Sequence, residues 1–184
     1  MGTNLPLSLI FYLNTNGGDM FIILDQSTNL TGFAVFNHDK ELVDYGIIDL
    51  SKMRKETQED QTNKRNELLN QIEELVQKYN VDLVVTEGVY FHRNPDVLEK
   101  LAKVQGCIQD YCYRKNIVCF SFHNAGEWRK RLGITAAKSK EYKEETKAYV
   151  LDRLPSLSDT YDFDIYDAIA IGFAYFTYFK ENNS

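Results

Sequence analysis

Hydrophobic positions in this chain follow two periods. Met20-Phe21-Ile22-Ile23-Leu24 is an unbroken apolar run closed by Asp25, which predicts a strand over 20–25 buried on both faces. Gln26 to Asn29 make a polar turn, Thr31 to Phe36 a second strand, Asn37-His38-Asp39-Lys40 another turn, and Glu41 to Asp49 a third strand. Such short turns predict an antiparallel meander. Residues 51–66 are strongly polar, a loop or the exposed start of a helix. Leu68, Leu69, Ile72, Leu75, Val76 and Tyr79 then recur at helical spacing. Val81 to Thr86 is a fourth strand, closed by Glu87.

Pro95 suits the first turn of a helix running through Leu98, Leu101, Val104, Gln105 and Ile108. Ile117 to Phe122 is a fifth strand, and Asn124 can cap a short helix containing Trp128. Lys138 to Leu154 predicts a charged, exposed helix stopped by Pro155. After a loop over 156–162, a helix from Asp164 onward is apolar nearly all round and must lie against the sheet. The order βββαβαβα predicts an α/β protein with a central mixed five-stranded sheet, an antiparallel meander plus parallel strands, flanked by helices.

Composition narrows the class. The chain has 184 residues, 43% hydrophobic and 26% charged, as expected of one well-buried globular domain. With 12 Tyr and 11 Phe, some rings must reach the surface. A net charge of −6 argues against a protein that coats nucleic acid indiscriminately. Basic residues are nevertheless clustered: Arg129-Lys130-Arg131, then Lys138, Lys140, Lys143 and Lys147. Cys107, Cys112 and Cys119 are odd in number and lack CxxC spacing, which excludes a disulfide framework and fits a reducing, cytoplasmic setting. No apolar run approaches the roughly 20 residues of a membrane span. Residues 20–184 read as one domain, and 1–19 as an appendage outside it or a partner-binding arm.

The candidate chemistry is carried by Asp25, Glu87, Asp164 and Asp167, each where an apolar run ends or a helix begins. Singly, each has an ordinary structural reading. Asp25 suits a turn, and an Asp at a helix N-cap with another three residues on suits the free N–H groups and the helix dipole. Together they suggest more. Positions i and i+3 share a helix face, so Asp164 and Asp167 can point the same way. Four carboxylates gathered at strand ends would repel one another unless protonated or neutralised. All-oxygen donors of this kind suit Mg²⁺, with Mn²⁺ able to substitute, rather than zinc.

The motifs also resemble a known family. Ile22-Ile23-Leu24-Asp25-Gln26-Ser27-Thr28 followed by Thr31-Gly32-Phe33-Ala34-Val35 resembles the opening motif of RuvC-type Holliday junction resolvases, particularly phage and prophage members. Glu87-Gly88-Val89-Tyr90-Phe91, running on to Leu101-Ala102-Lys103-Val104-Gln105-Gly106, is similar to their second motif, and Asp164-Ile165-Tyr166-Asp167-Ala168 to their closing one. The resemblance covers roughly 20–180 and implies an RNase H-like fold. It also implies Mg²⁺-dependent cleavage of four-way junctions, flaps or forks by a homodimer in the bacterial host cytoplasm, with Asp25, Glu87, Asp164 and Asp167 as catalytic metal ligands. Gln26-Ser27 stands where bacterial cellular members usually carry Pro-Gly, so the turn after Asp25 is expected to be less constrained.

Further roles follow from that resemblance. Tyr90 would stack on bases at the crossover, with Phe91 beside it and His92 and Arg93 touching backbone. Lys138 and Lys140 resemble the family's basic segment and would contact phosphates, as would Arg129 and Lys130; the competing reading is a solvated helix face. The helix after Pro95 is the expected dimer interface, through Val97, Leu101, Val104 and Ile108. His123 is assigned a structural role. Two rival readings stay open. An actin-like or sugar-kinase-like ATP-binding protein shares the core fold, but it needs a Gly-rich phosphate turn that Asp25-Gln26-Ser27-Thr28 lacks. A non-catalytic DNA-binding domain would not need all four acidic positions.

Overall fold

A computed structural model describes residues 20–89, 94–136, 138–157 and 162–182. The expectations for residues 1–19 and for Tyr90, Phe91, His92 and Arg93 lie outside these residues. The meander is β1 (Met20–Asp25), β2 (Leu30–Asn37) and β3 (Leu42–Asp49), followed by α1 (Gln58–Tyr79), β4 (Val81–Glu87), α2 (Pro95–Lys115) and β5 (Val118–Phe122). Three helices complete the described chain: α3 (Ala125–Arg131), α4 (Ser139–Arg153) and α5 (Phe163–Asn182). The five strands form one sheet in the order β3-β2-β1-β4-β5. β1 pairs antiparallel with β2 and parallel with β4, and β4 pairs parallel with β5. The mixed five-stranded sheet flanked by helices therefore stands as expected.

The ambiguous polar segment 51–66 resolves into a helix from Gln58 onward. Thr57 accepts a hydrogen bond from the Asp60 backbone N–H, and the Asp60 carboxylate accepts one from the Thr57 N–H, so each covers an otherwise unpaired donor. Asn94 and Asn124 cap α2 and α3 through their side chains, which accept from the Asp96 and Glu127 N–H groups, and Pro95 occupies the first turn of α2.

The pleat of β1 divides the core. Ile22 and Leu24 face α1 and α2, packing with Leu68, Ile72, Val104 and Ile108. Phe21 and Ile23 face the opposite layer, dominated by α5 together with α3 and α4. α5 is buried along most of its first fourteen residues, and Gly172 lets it sit against Phe36 and Ile23: a Cβ there would lie 2.5 Å from the Phe36 ring. Most described rings collect in this layer, where Phe120, Phe122, Tyr175 and Tyr178 meet at centroid distances of 5.0–6.3 Å. Tyr113, 83% exposed, is the ring that clearly reaches the surface. Among the described residues no helix is long and apolar enough to cross a membrane.

Candidate active site

The two-residue period of a strand decides which way the site faces. Asp25 follows Phe21 and Ile23 on the α5 side of β1, and Glu87 follows Leu83 and Val85 on the same side of β4. The parallel register, with Leu24 opposite Thr86, sets these two strand ends beside each other. The start of α5 crosses the same end of the sheet, bringing in Asp164 and Asp167. A carboxylate oxygen from each of Asp25, Asp164 and Asp167 lies within 4.8 Å of the others. Glu87 is outside that tight trio, although its charge is felt at both Asp25 and Asp167.

The structural explanation for the aspartate pair goes elsewhere. Asp162 does the capping of α5: its side chain accepts from the Asp164 N–H at 3.3 Å and its carbonyl from the Ile165 N–H at 3.1 Å. Asp164 sits inside the first turn with its carboxylate directed to the cluster. One oxygen of Asp167 is buried without a hydrogen-bond partner among the described residues. A buried, unpaired oxygen on a carboxylate that clusters with two others has the chemistry of a cation ligand.

Glu87 is held by a residue to which the sequence assigned no part in the site. Trp128 is fully buried, and its indole Nε1–H donates a 2.8 Å hydrogen bond to the Glu87 carboxylate. Gln26 fixes the backbone of the same residue. Its amide oxygen accepts from the Glu87 N–H at 3.2 Å, and its Nε2 donates to the Glu87 carbonyl. Ser27 in turn donates to the Leu30 carbonyl at 2.6 Å and accepts from the Leu30 N–H at 3.0 Å. Side-chain hydrogen bonds thus hold the turn after Asp25, where Pro-Gly is absent.

Two cations enter the cluster. The Arg129 guanidinium lies over the Trp128 ring at 4.6 Å and the Tyr142 ring at 5.0 Å, which places it 4.0 Å from Asp167. Lys143, from α4, comes within 3.5 Å of Asp164. Sequence reading grouped Lys143 with other basic residues and gave it no part in the site; its one available signal was the shared helix face with Lys147 at i+4.

Four carboxylates thus face two cations, and the imbalance appears in their proton affinities. Burial, and then repulsion from Asp167, Glu87 and Asp164, drives the Asp25 carboxyl well above the usual carboxylate range despite Arg129. Burial pushes Asp167 up to about 6, with Arg129 opposing and Glu87 adding to it. Burial also raises Glu87, against the Trp128 hydrogen bond, and raises Asp164, against Lys143. Such a site gains most from additional positive charge.

The other expected DNA contacts lie further out. Lys130, Lys138 and Lys140 are exposed on α3 and at the start of α4, and Lys138 pairs with Glu141 at 3.3 Å. In α2, Val104 and Ile108 are buried against the sheet, which leaves Val97 and Leu101 as the half-buried members of that apolar stripe.

Known proteins share this architecture. Thermus thermophilus RuvC in complex with a Holliday junction substrate superposes with a TM-score of 0.71 at 15% identity, over 89% of this chain and 96% of that one. A structure of Thermus thermophilus RuvC gives 0.69 at 14% identity, over 88% and 96%. The yeast mitochondrial Holliday junction resolvase Ydc2 gives 0.56 at 12% identity, over 90% and 82%. A search of curated proteins finds no match. At these identities the structural likeness establishes the RNase H-like fold alone. The family model described as crossover junction endodeoxyribonuclease RuvC matches residues 22–175, nearly the whole described fold and all four carboxylates. On that match the chain belongs to the RuvC family of crossover junction endodeoxyribonucleases.

Proposed function

We propose that this protein cuts Holliday junctions and related branched DNA by Mg²⁺-dependent hydrolysis, with Asp25, Glu87, Asp164 and Asp167 as the catalytic carboxylates. The observation that carries the reading is the trio of Asp25, Asp164 and Asp167 oxygens within 4.8 Å of one another, together with a buried Asp167 oxygen that has no partner among the described residues. The donor set is all oxygen, which favours Mg²⁺, with Mn²⁺ as a substitute. Divalent ions held there supply activation of water and stabilisation of the attacking and leaving oxygens of a phosphodiester. The chain's own residues do the remaining work. Asp25, Asp164 and Asp167 bind, Trp128 and Gln26 orient Glu87 at their side, and Arg129 and Lys143 limit the repulsion among the four acids.

Residues 20–184 act as the nuclease domain, in the cytoplasm, where Cys107, Cys112 and Cys119 stay reduced, and 1–19 lie outside its fold. Lys130, Lys138 and Lys140 hold flanking phosphates, Arg129 approaches DNA from within the site, and Tyr90, Phe91 and Arg93 meet the branch point. A four-way junction is two-fold symmetric and the described residues of each chain hold one such carboxylate cluster, so two paired cuts call for a homodimer about a C₂ axis, through α2.

Incubation with four-way junction, flap and linear duplex DNA, with and without Mg²⁺, tests the reading. Cutting of the junction in preference to the duplex, and only with the ion, is expected; equal cutting of all three, or none, would overturn it. Sedimentation of the DNA-free protein at micromolar concentration should give a dimer, and a strict monomer would refute the assembly.

A further inference from the structure

On the α1–α2 side of the sheet, a cavity of about 480 Å³ lies between the β1–β2 turn, the segment before α1 and the start of α2. Lys55, Lys64 and Lys100 line it, with Ser27, Thr28 and Asn29 across from them. Among the described residues no Asp or Glu lines it. In a chain of net charge −6 this is a local reversal of sign.

Lys64 is the informative residue. It is only 3% exposed, and its ammonium donates a 2.6 Å hydrogen bond to the side-chain oxygen of Asn29. An amide oxygen satisfies one of three donors and brings no negative charge to the ammonium. Burial lowers the proton affinity of Lys64 and the nearby Lys55 lowers it further, against a smaller opposing pull from Asp49. Arg65 lines an adjoining recess shared with Ser27, Thr28, Lys64 and Lys100. Converging cations with hydroxyl and amide groups are the donor set of an oxyanion site.

Its place in the fold suggests the anion. Thr28 is three residues beyond Asp25, at most about 11 Å along the chain. A strand whose scissile phosphate lies at the carboxylates has further phosphates within that range. We infer that this cavity is a second DNA subsite, holding a backbone phosphate of the branched substrate other than the one being cut. The inference rests on the nuclease reading above.

Junction binding, titrated in EDTA over a range of salt concentrations, tests it. The double variant K55A/K100A changes two exposed side chains and should retain the fold. It should bind at least about tenfold more weakly at low salt, with a salt slope shallower by roughly one to two units. The control K115A, at the far end of α2 where Lys115 pairs with Glu73, should change neither. An unchanged slope for the lysine pair, or an equal effect of K115A, would overturn the subsite. If the pair flattens the slope equally on linear duplex, and wild type shows no junction preference, the subsite stands and the junction reading falls. If wild type binds no DNA, both fall.

Discussion

A methyl group on Gly32 would sit 2.0 Å from the backbone carbonyl oxygen of Asp164. Gly32 is also the β2 residue paired with Asp25. One missing side chain therefore lets the first turn of α5 settle against β2, beside the end of β1 that carries Asp25. The contact is with backbone, so no side chain can rotate away to admit a Cβ. Gly32→Ala should displace the start of α5 and lower stability by about 1–3 kcal/mol. Junction cutting should fall on the order of a hundredfold, because misplacement of about 1 Å is costly at a reacting centre. Thermal unfolding with single-turnover cutting checks this; wild-type cutting by Gly32→Ala would refute the positioning role.

Asp25→Asn and Glu87→Gln each remove a charge and little volume. Both should abolish cutting while junction binding persists, since phosphates are held mainly by basic groups. In metal-free buffer near pH 7 the Asp25→Asn protein should also melt higher than wild type, because it relieves repulsion from Asp167, Glu87 and Asp164. Cutting at wild-type rates by either variant would sink the assignment.

The raised carboxyls predict an unusual pH dependence. Asp167 titrates at about 6 in the folded protein against an ordinary value of 3.8, so between those values the native state holds more protons than the unfolded chain. Its contribution is fully present below about pH 4 and is lost as pH rises through 6. Metal-free wild type should therefore lose stability across that window, on the order of 2 kcal/mol. Asp167→Asn should show a flatter profile, and Mg²⁺ should restore wild-type stability at pH 7. Melting curves from pH 4 to 8, with EDTA or Mg²⁺, decide it; parallel profiles for wild type and variant would count against a strained cluster.

Trp128→Phe keeps most of the buried ring volume and removes the donor to Glu87. The carboxylate then loses the indole hydrogen bond that orients it, and the Mg²⁺ concentration needed for half-maximal cutting should rise roughly 10- to 100-fold. A Mg²⁺ titration of cutting rate would show it. An unchanged midpoint would mean that Trp128 serves packing alone.

Sequence by itself determined the element order, the closing carboxylates and the family, because each is written in local patterns. Apolar runs of five or six residues fix the strands, helical spacing fixes α1 and α2, and Asp25 and Glu87 end two of those runs. The start of α1 was not fixed in this way: 51–66 reads as a loop or an exposed helix start, and Thr57-x-x-Asp60 is a capping box in the folded chain. Only tertiary structure decided what surrounds the acids. Trp128 is 41 residues from Glu87, Arg129 is 38 from Asp167, and Gln26 is 61 from Glu87. Contacts across such separations leave no periodic trace, because they depend on where α3 and α4 come to rest against α5. The assignment of the capping role to Asp162, which frees Asp164, and the gathering of Lys55, Lys64 and Lys100 around one cavity have the same origin. Local pattern specifies which groups exist; the packing of distant elements specifies which of them share a charge environment.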